Sequence, residues 1–367
     1  MSKWPMVKLG DVCEGKSSNI AQKDLEFNNG LFPIYGAAGF IKNVDFYKHD
    51  REYIGIVKDG AGVGRATIHP ARSSVIGTMQ ALLPNSQIIP KYLYYVISNM
   101  DLARYYTGAT IPHIYFKDYS KELLSLPPLL IQQKIADILD RTSALIEKRK
   151  SQIAKLDLLV KSQFIEMFGS TLGKDTVELK DVCSIITDGT HQSPKFIDSG
   201  IPFLLVSNIV DNQLTYETKK FISREEFETL IKRTPVEIGD LLLTIVGSYG
   251  NPAVVKTEQD FCFQRHIAYM KPNRETINSI YLHAAFLNGA VKEQIAVKVK
   301  GIAQKTLNLF ELKTIKINLP TLSLQNRFAD FVRQADKSKF ELQQGLVKLE
   351  LLYKSLMQKC FNGELFK

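Results

Sequence analysis

Two segments of the chain share an apolar pattern that differs from the rest. Residues 129–168 and 322–361 contain no proline, and their apolar side chains recur in alternating steps of four and three residues. In the first segment this seam includes Leu145 and Leu159. Such a repeat predicts a long α-helix in each segment, and it indicates that the two helices pair as a coiled coil. A helix of this length would extend about 60 Å.

The sequence before each predicted helix has a different period. Short apolar runs alternate with turn residues, as in residues 53–57 before Lys58-Asp59-Gly60 and residues 240–246 before Gly247. Runs of this kind are typical of α+β domains dominated by short strands. The predicted organisation is a first globular domain over residues 1–127, a central helix within 128–174, a second globular domain over 175–320 and a distal helix within 321–367.

The two halves of the chain are repeats of each other. The segment Val7-Lys8-Leu9-Gly10-Asp11-Val12-Cys13 returns at a shift of 170 residues as Val177-Glu178-Leu179-Lys180-Asp181-Val182-Cys183. From Gly108 to Phe168 the matches keep a constant shift of 193 residues. An antiparallel pair of helices would then relate two globular domains by a pseudo-twofold axis. Because duplex DNA has local twofold axes, such a protein could place equivalent surfaces on two separated half-sites, with the coiled coil as the spacer.

Composition narrows the class of protein. Of the 367 residues, 45% are hydrophobic and 23% are charged, which is ordinary for a protein with buried cores. The net charge of +9 favours a polyanionic partner only weakly. No apolar stretch approaches the roughly 18 residues of a membrane span, and the first residues lack the apolar core of a secretory signal. We therefore expect a soluble cytoplasmic protein.

The spacing of the cysteines also bears on the class of protein. The four cysteines lie far apart and form no CxxC motif, which is unfavourable for a zinc site or a disulfide framework. The repeated Cys13 and Cys183 are expected in the two cores, since free cysteine is among the most buried residue types.

The sequence carries no motif of a known catalytic site. Gly60-Ala61-Gly62-Val63-Gly64 resembles a nucleotide-binding turn, but residues 65–70 read as a strand where phosphate binding needs a helix. A glycine-rich hairpin is the better interpretation, and the matching segment at residues 247–252 supports it. No zinc-ligand spacing, nucleophile elbow or phosphate-binding loop occurs. Because catalytic groups need not be adjacent in sequence, these absences favour a non-catalytic protein without excluding an enzyme.

Basic residues surround one pair of duplicated loops. Residues 292–305 hold four lysines with a single acid, and Gln304 among them could bond an adenine edge. The matched loop at residues 106–113 lies near Arg104 and Lys117. Paired polar loops flanked by basic residues fit a reader of nucleic acid, and ordinary solvated loops are the alternative interpretation.

In their order, these features resemble the specificity subunit (HsdS) of type I restriction-modification enzymes along the whole chain. The first recognition domain follows the family pattern less closely, as expected for a part that varies with the DNA sequence read. The motifs that carry the resemblance are the duplicated opening segment, the domain exits at residues 126–136 and 319–329, Asp188-Gly189-Thr190-His191, residues 201–204, residues 239–242 and the ending at residues 355–365.

The resemblance implies an α+β protein with two target-recognition domains, each reading one half of an interrupted, asymmetric site in double-stranded DNA. The two helices would form an antiparallel coiled coil with pseudo-twofold symmetry, set the spacing and dock two modification (HsdM) subunits. Those subunits would bind S-adenosylmethionine and methylate adenine, and restriction (HsdR) subunits would add translocation and cleavage with ATP and Mg²⁺. This chain would itself hold no cofactor, no metal and no catalytic residue, and would need no membrane.

We expect basic side chains to hold phosphates and side chains on the duplicated loops to discriminate bases, each good bidentate contact contributing about 1–3 kcal/mol against the wrong base. These assignments come from position and chemistry. The candidates for phosphate contact are Lys58, Arg65, Lys117, Lys195, Lys298 and Lys300. The candidates for base contact are Thr110 and His113 in the first domain, and Thr190, His191, Tyr249, Arg265, His266, Gln304 and Lys305 in the second.

Two other classes of function remain open at this point. A coiled-coil scaffold or decoy would bind modification subunits without reading DNA, and it would show neither salt-dependent nor sequence-selective DNA retention. An enzyme with a cryptic site, for example a nuclease, would keep its activity when the partner subunits are removed.

Overall fold

The computed structural model describes residues 4–108, 112–301 and 305–366, and the chain divides into two compact units. The first unit takes the chain up to Ser151 and again from Gln344, and the second unit is Gln152–Gln343. Each unit therefore contains one run of β-strands and part of both long helices.

The described part of the first unit has nine strands and three short α-helices before the first long helix begins. The strands are β1 (Met6–Lys8), β2 (Cys13–Ser17), β3 (Phe32–Gly36), β4 (Gly39–Val44), β5 (Tyr53–Val57), β6 (Ala66–His69), β7 (Ser74–Val75), β8 (Met79–Pro84) and β9 (Leu123–Ser125). The helices are α1 (Leu9–Val12), α2 (Pro90–Ser98), α3 (Phe116–Tyr119) and the long α4 (Leu129–Phe168).

A four-stranded antiparallel sheet in the order β2-β8-β5-β6 organises this unit, beside a three-stranded sheet in the order β4-β3-β7. The apolar run of β5 is buried at every position, because the sheet is covered on both faces. Ile54 and Ile56 enter the core that includes the helices, whereas Tyr53 and Val57 enter a separate cluster with Met79. Double coverage explains why this strand is continuously apolar instead of alternating.

The second unit repeats this plan. Its strands are β10 (Thr176–Glu178), β11 (Cys183–Asp188), β12 (Ile201–Leu204), β13 (Ile209–Val210), β14 (Gln213–Leu214), β15 (Phe221–Ile222), β16 (Leu241–Thr244), β17 (Pro252–Val254), β18 (Cys262–Phe263), β19 (Ile267–Pro272) and β20 (Lys316–Asn318). Its helices are α5 (Leu179–Val182), α6 (Arg224–Leu230), α7 (Ser279–Leu287), α8 (Gly289–Lys298), α9 (Leu309–Lys313) and the long α10 (Leu322–Asn362).

The sheet β11-β19-β16-β17 corresponds in order and direction to β2-β8-β5-β6. Like β5, strand β16 sends alternate residues to two cores, with Leu241 and Leu243 in the larger one and Leu242 in the other. The hairpins predicted after residues 53–57 and 240–246 are both confirmed, since β5 pairs with β6 and β16 pairs with β17.

The two predicted long helices are confirmed, with 40 residues in α4 and 41 in α10. In the first unit, Ile135 near the start of α4 shares a core with Cys360 near the end of α10. In the second unit, Phe164 near the end of α4 stacks edge-on against Phe328 near the start of α10, with ring centroids 5.4 Å apart. Within each unit the paired helix segments are therefore antiparallel.

The predicted phase of the helix seam is partly wrong. Leu145 and Leu159 are 53% and 48% exposed, whereas the adjacent Ile146 is buried and Val160 packs against the core of the second unit. An α-helix has 3.6 residues per turn instead of 3.5, so a strict heptad assigned from one end drifts around the helix. The buried seam lies one residue later at these positions.

The cysteines of the described residues are free and buried, which confirms that Cys13 and Cys183 belong to the cores. Burial raises the pKa of both thiols to about 12, so neither is a reactive thiolate at neutral pH. None of the helices in the part of the chain that the structure describes is long and apolar enough to cross a membrane.

Candidate nucleic-acid interface

In the first unit, two segments meet at one edge of the four-stranded sheet. The turn at residues 57–65 joins β5 to β6, and the segment at residues 112–114 lies against it. The amide of Gly60 donates to the carbonyl of Pro112 at 2.9 Å, and the amide of Ile114 donates to the carbonyl of Lys58 at 3.0 Å. These two backbone hydrogen bonds therefore fix the C-terminal end of the loop on the sheet.

The second unit has the same arrangement at the corresponding edge. The amide of Gly247 donates to the carbonyl of Lys305 at 2.9 Å, and the amide of Leu307 donates to the carbonyl of Ile245 at 2.8 Å. Lys305 follows Pro112 by 193 residues, which is the shift that relates the duplicated helices. The duplication therefore extends to a matched pair of edges, each made of a turn and a loop; we call them the first and second reading edges.

Each loop is closed at its base by a pair of backbone hydrogen bonds. Thr107 and His113 exchange bonds of 2.8 and 3.0 Å, and Lys300 and Thr306 exchange bonds of 3.0 and 2.8 Å. The residue after the first member of each pair is a glycine, Gly108 or Gly301, with φ of 99° and 111°. Residues with a Cβ atom rarely adopt this backbone conformation. The backbone direction at the start of each loop therefore requires a glycine.

The first reading edge brings together three of its candidate residues. Nδ1 of His113 is hydrogen-bonded to Oδ1 of Asp59, and the His113 ring centroid lies 4.1 Å from that of the exposed Tyr115. The ammonium of Lys117 lies 5.3 Å from the centroid of Tyr115. Lys58 precedes Asp59 on the turn and is half-buried, and burial lowers its pKa. Lys117 is exposed and has no carboxylate partner among the described residues.

Arg65 lies on the same turn but is already engaged. Its guanidinium donates to the backbone carbonyl of Ala37, and the residue is exposed. The hydrogen bond joins the β5–β6 turn to the hairpin between β3 and β4. Arg65 therefore has a bracing contact in addition to the positive charge that was expected to hold a phosphate.

Four further candidates lie at the same end of this sheet, where β11 ends and β19 begins: Thr190, His191, Arg265 and His266. The amide of Ile245 donates to the carbonyl of His266 at 3.0 Å, which connects them to the β16–β17 turn. The amide of Thr190 donates to the carbonyl of Phe263 at 2.9 Å, and the amide of Arg265 donates to the carbonyl of Thr190 at 3.0 Å. Burial, followed by the neighbouring Arg265, lowers the pKa of His266. A neutral imidazole offers one hydrogen-bond donor and one acceptor, which is the chemistry that base edges require.

The absence of a side chain at Gly189 allows the segment that follows β11 to lie close to the segment between β18 and β19. A Cβ atom at Gly189 would lie 2.2 Å from the carbonyl oxygen of Phe263 and 2.6 Å from that of Gln264. Both obstacles are backbone atoms, so no side-chain movement could relieve the clash.

Two lysines at the second edge are held by one carboxylate. Lys298 and Lys300 lie 3.1 and 3.3 Å from Glu311, and Lys298 also donates to Thr314 at 2.8 Å. The hydrogen bond from Lys298 and then the one from Lys300 lower the pKa of Glu311. Because the Lys298 side chain is only 25% exposed, it braces the end of α8 and is poorly placed to meet a phosphate, whereas Lys300 is largely exposed.

The remaining candidates have different positions. Tyr249 lies on the β16–β17 turn and packs partly against the core of the second unit. Lys305 is exposed at the base of the loop. Lys195 is exposed on the segment before β12, away from the hydrogen bonds that build the edge. Thr110 and Gln304 lie outside the described residues.

Sequence reasoning missed Asp59, Tyr115 and Arg233. The first two adjoin His113, and Arg233 binds Asp188 at the end of β11. The positions of Asp59 and Tyr115 beside candidate residues could have drawn attention to them. Arg233 is separated from Asp188 by 45 residues, and no spacing rule connects the two. Within residues 4–108, 112–301 and 305–366, no group of three or more His, Cys, Asp or Glu side chains could hold a metal ion.

Comparison with known proteins adds a family profile. The profile described as "Type I restriction modification DNA specificity domain" matches residues 1–156 and 172–351. It therefore covers both duplicated units.

Two curated relatives illustrate the extent of the similarity. The chain is 25% identical over 311 residues to the type I restriction enzyme EcoBI specificity subunit of Escherichia coli, an alignment that covers 76% of this chain and 64% of that protein. It is 22% identical over 401 residues to the MjaVIII specificity subunit of Methanocaldococcus jannaschii, which covers 99% and 93% of the two chains. The chain thus spans somewhat less than two thirds of the first relative and nearly all of the second.

Solved structures share the fold. The S subunit of a type I restriction-modification system from M. genitalium aligns with a TM-score of 0.60 at 15% identity, over 98% of this chain and 96% of that one. A chain from a structural study of complex assembly and conformational transition of the type I R-M system aligns with a TM-score of 0.57 at 17% identity, over 98% of both chains. At these identities the likeness concerns the fold.

Proposed function

The chain belongs to the family of type I restriction modification DNA specificity domains, and from this premise we propose that it is the DNA-reading specificity subunit of a type I restriction-modification complex. The observation that carries the proposal is the matched pair of reading edges, in which Gly60 and Pro112 repeat as Gly247 and Lys305. Two equivalent edges on one chain fit a bipartite DNA site, of which each edge reads one half.

The chemistry of the edges supports DNA as the ligand. Exposed cations such as Lys117, Lys300 and Lys305 can neutralise phosphates, and His113 and His266 can exchange hydrogen bonds with base edges. Because the loops are held by backbone hydrogen bonds, their side chains can differ between proteins while the position of the edge is kept. That separation suits a protein whose scaffold is constant and whose target varies.

The family also suggests the partners. In this proposal, modification subunits dock on the chain and methylate adenine with S-adenosylmethionine, and restriction subunits use ATP and Mg²⁺. The chain itself contributes recognition and no catalytic residue, and the assembly acts in the cytoplasm, where chromosomal DNA is accessible.

Lys117 provides a test of phosphate contact at the first edge. We expect Lys117→Ala to weaken binding of the assembled complex to duplex DNA several-fold, equally for cognate and unrelated sequences. The slope of log affinity against log salt should become shallower by about one, because one fewer counterion is released. Fluorescence anisotropy at a series of salt concentrations measures both quantities. Lys8→Ala is the matched control, since Lys8 is an exposed lysine of the same unit. It is the last residue of β1 and precedes the first residue of β2. Equal slopes for the two variants would remove Lys117 from the phosphate-binding set.

The decisive experiment is methylation mapping. The chain is expressed with its modification subunit in a bacterial host that lacks DNA methylation, and N6-methyladenine is located by long-read sequencing. We expect a motif of two blocks separated by a fixed gap that disappears when this chain is omitted. Complex formation without a methylated motif would favour the scaffold or decoy, and the absence of any complex would overturn the assignment.

A further inference from the structure

The end of the four-stranded sheet that carries the second reading edge also carries a buried carboxylate, on β11, which joins two side chains from distant parts of the chain. Asp188, the last residue of β11, is buried, and its Oδ1 atom accepts a hydrogen bond from Nη2 of Arg233 at 2.6 Å. Nε2 of His191 lies 2.9 Å from the Oδ2 atom of the same carboxylate. The same nitrogen is hydrogen-bonded to Oδ1 at 3.0 Å, so this one carboxylate holds both polar side chains.

The backbone that carries Arg233 is fixed to the sheet. The amide of Arg233 donates to the carbonyl of Leu230 at 3.2 Å, which continues the end of α6. Two residues later, the carbonyl of Pro235 accepts a hydrogen bond of 2.8 Å from the hydroxyl of the buried Tyr269. Arg233 thus projects from a turn that is attached to the central strand β19.

The free part of the guanidinium suits a base edge. The Arg233 side chain is 53% exposed, and neither its Nε nor its Nη1 atom has a hydrogen-bond partner within the described residues. Nη2 carries two hydrogens, donates one to Asp188 and lies 3.3 Å from Nε2 of His191. With the His191 proton on Nε2 directed at Asp188, the second Nη2 hydrogen and the neighbouring donor of the guanidinium form a fork that matches the O6 and N7 acceptors of guanine in the major groove.

Electrostatics favours a base over a phosphate as the partner. The carboxylate of Asp188, 2.6 Å away, offsets most of the long-range attraction that Arg233 would exert on a phosphate. The directional N–H donors remain, and their orientation is fixed before binding, which lowers the entropic cost of recognition.

The arrangement belongs to one unit only. In the matching sheet of the first unit the position of Asp188 is taken by Ser17, because Ser17 pairs with Gln80 as Asp188 pairs with Ala268. A serine has no carboxylate to hold an arginine. Any contribution of Arg233 should therefore affect one half of a bipartite site.

We propose that Arg233 is a specificity-determining residue that reads a guanine in the half-site of the second unit, and that Asp188 is the residue that positions it. This inference rests on the proposed function. It adds a named residue, a base and a half-site to that function.

Methylation mapping of the assembled complex tests the assignment with three variants. Arg233→Ala and Arg233→Lys are expected to give a motif in which one G·C position of one half accepts other bases, because lysine keeps the charge but loses the fork. Asp188→Asn should relax the same position, since it removes the charge that orients the guanidinium. Competition binding should show the preference for that base pair reduced by about tenfold, with an unchanged salt slope. Arg224→Ala is the matched control: Arg224 is an exposed arginine of the same unit, paired with Asp260 at 2.6 Å, and its loss should leave the motif intact.

Each other outcome is informative. A motif identical to that of the unsubstituted protein in both Arg233 variants would overturn the inference, and so would a uniform loss at all sequences with a salt slope shallower by about one, which identifies a phosphate contact. If Arg233→Ala prevents assembly, the result with Arg233→Lys decides between the outcomes, because lysine keeps the positive charge and a long aliphatic side chain. A purely structural role for Asp188 would lower the melting temperature of the complex without relaxing the motif. Absence of a bipartite motif in the unsubstituted complex would instead overturn the proposed function, and this inference with it.

Discussion

Replacement of Gln132 or Gln325 by leucine is expected to lower the free energy of unfolding by about 2–4 kcal/mol in either case. Both side chains are fully buried at the start of a long helix, and they are related by the shift of 193 residues. Leucine would fill most of the volume, so the loss comes from hydrogen bonds and not from a cavity.

The contacts of the two glutamines are the same. Gln132 accepts from the amide of Ile89 at 2.9 Å and donates to the carbonyls of Gln87 and Pro127 at 2.8 and 2.9 Å. The equivalent bonds of Gln325 involve the amide of Asn278 at 2.8 Å and the carbonyls of Thr276 and Pro320 at 3.2 and 2.8 Å. Leucine at either position would leave one backbone donor and two backbone acceptors without these partners, and unsatisfied buried groups are costly.

Urea-induced unfolding measures the effect. Gln133→Leu is the matched control, because Gln133 is exposed and bonds only to the side chain of Asp137 at 2.8 Å; its change should stay within about 0.5 kcal/mol. Gln132→Glu refines the test. At pH 7 a carboxylate would face two carbonyl oxygens, so its folded-state pKa should rise above the unfolded value. This variant should therefore be most destabilised at neutral pH and should recover relative to the unsubstituted protein as the pH falls towards 4. A loss below 0.5 kcal/mol for Gln132→Leu would contradict the assigned role.

These glutamines show what the sequence could and could not reveal. The repeat identified Gln132 and Gln325 as equivalent, and the absence of proline with a regular apolar period predicted both long helices. Their hydrogen bonds connect the long helix to the globular domain, and the backbone groups that they bind lie up to 49 residues away in the sequence. No local pattern encodes such contacts, which arise only when the chain is folded.

For the reading edges, too, the sequence predicted which segments are equivalent but not which side chains contact each other. The constant shift from Gly108 onward paired the two loops, and the structure places the described end of each, at Pro112 and at Lys305, against the equivalent turn. The individual side chains were harder to assign, because a lysine in a basic cluster can face DNA or a carboxylate. Lys298 meets Glu311, which lies 13 residues later on α9. Arg233 meets Asp188 across 45 residues, so neither its position nor its partner could be inferred from spacing.

Replacement of residues 1–125 by the corresponding domain of another specificity subunit is expected to change one half of the methylated motif completely and to leave the other half intact. Every backbone hydrogen bond of the second reading edge joins residues of the second unit, so the exchange removes nothing from it. The number of bases between the halves should also be preserved, because both long helices are retained.

The way in which the first domain is attached explains why such an exchange should fold. Gln132 stays with the recipient, and its partners in the exchanged part, at Gln87 and Ile89, are backbone groups. A donor domain therefore needs the same backbone path at that point, whereas its side chains can differ. Long-read methylation mapping of the hybrid with its modification subunit measures the outcome, and a reciprocal exchange within residues 175–318 is the control, in which the opposite half should change. If both halves changed, or neither did, the assignment of one reading edge to each half-site would be wrong.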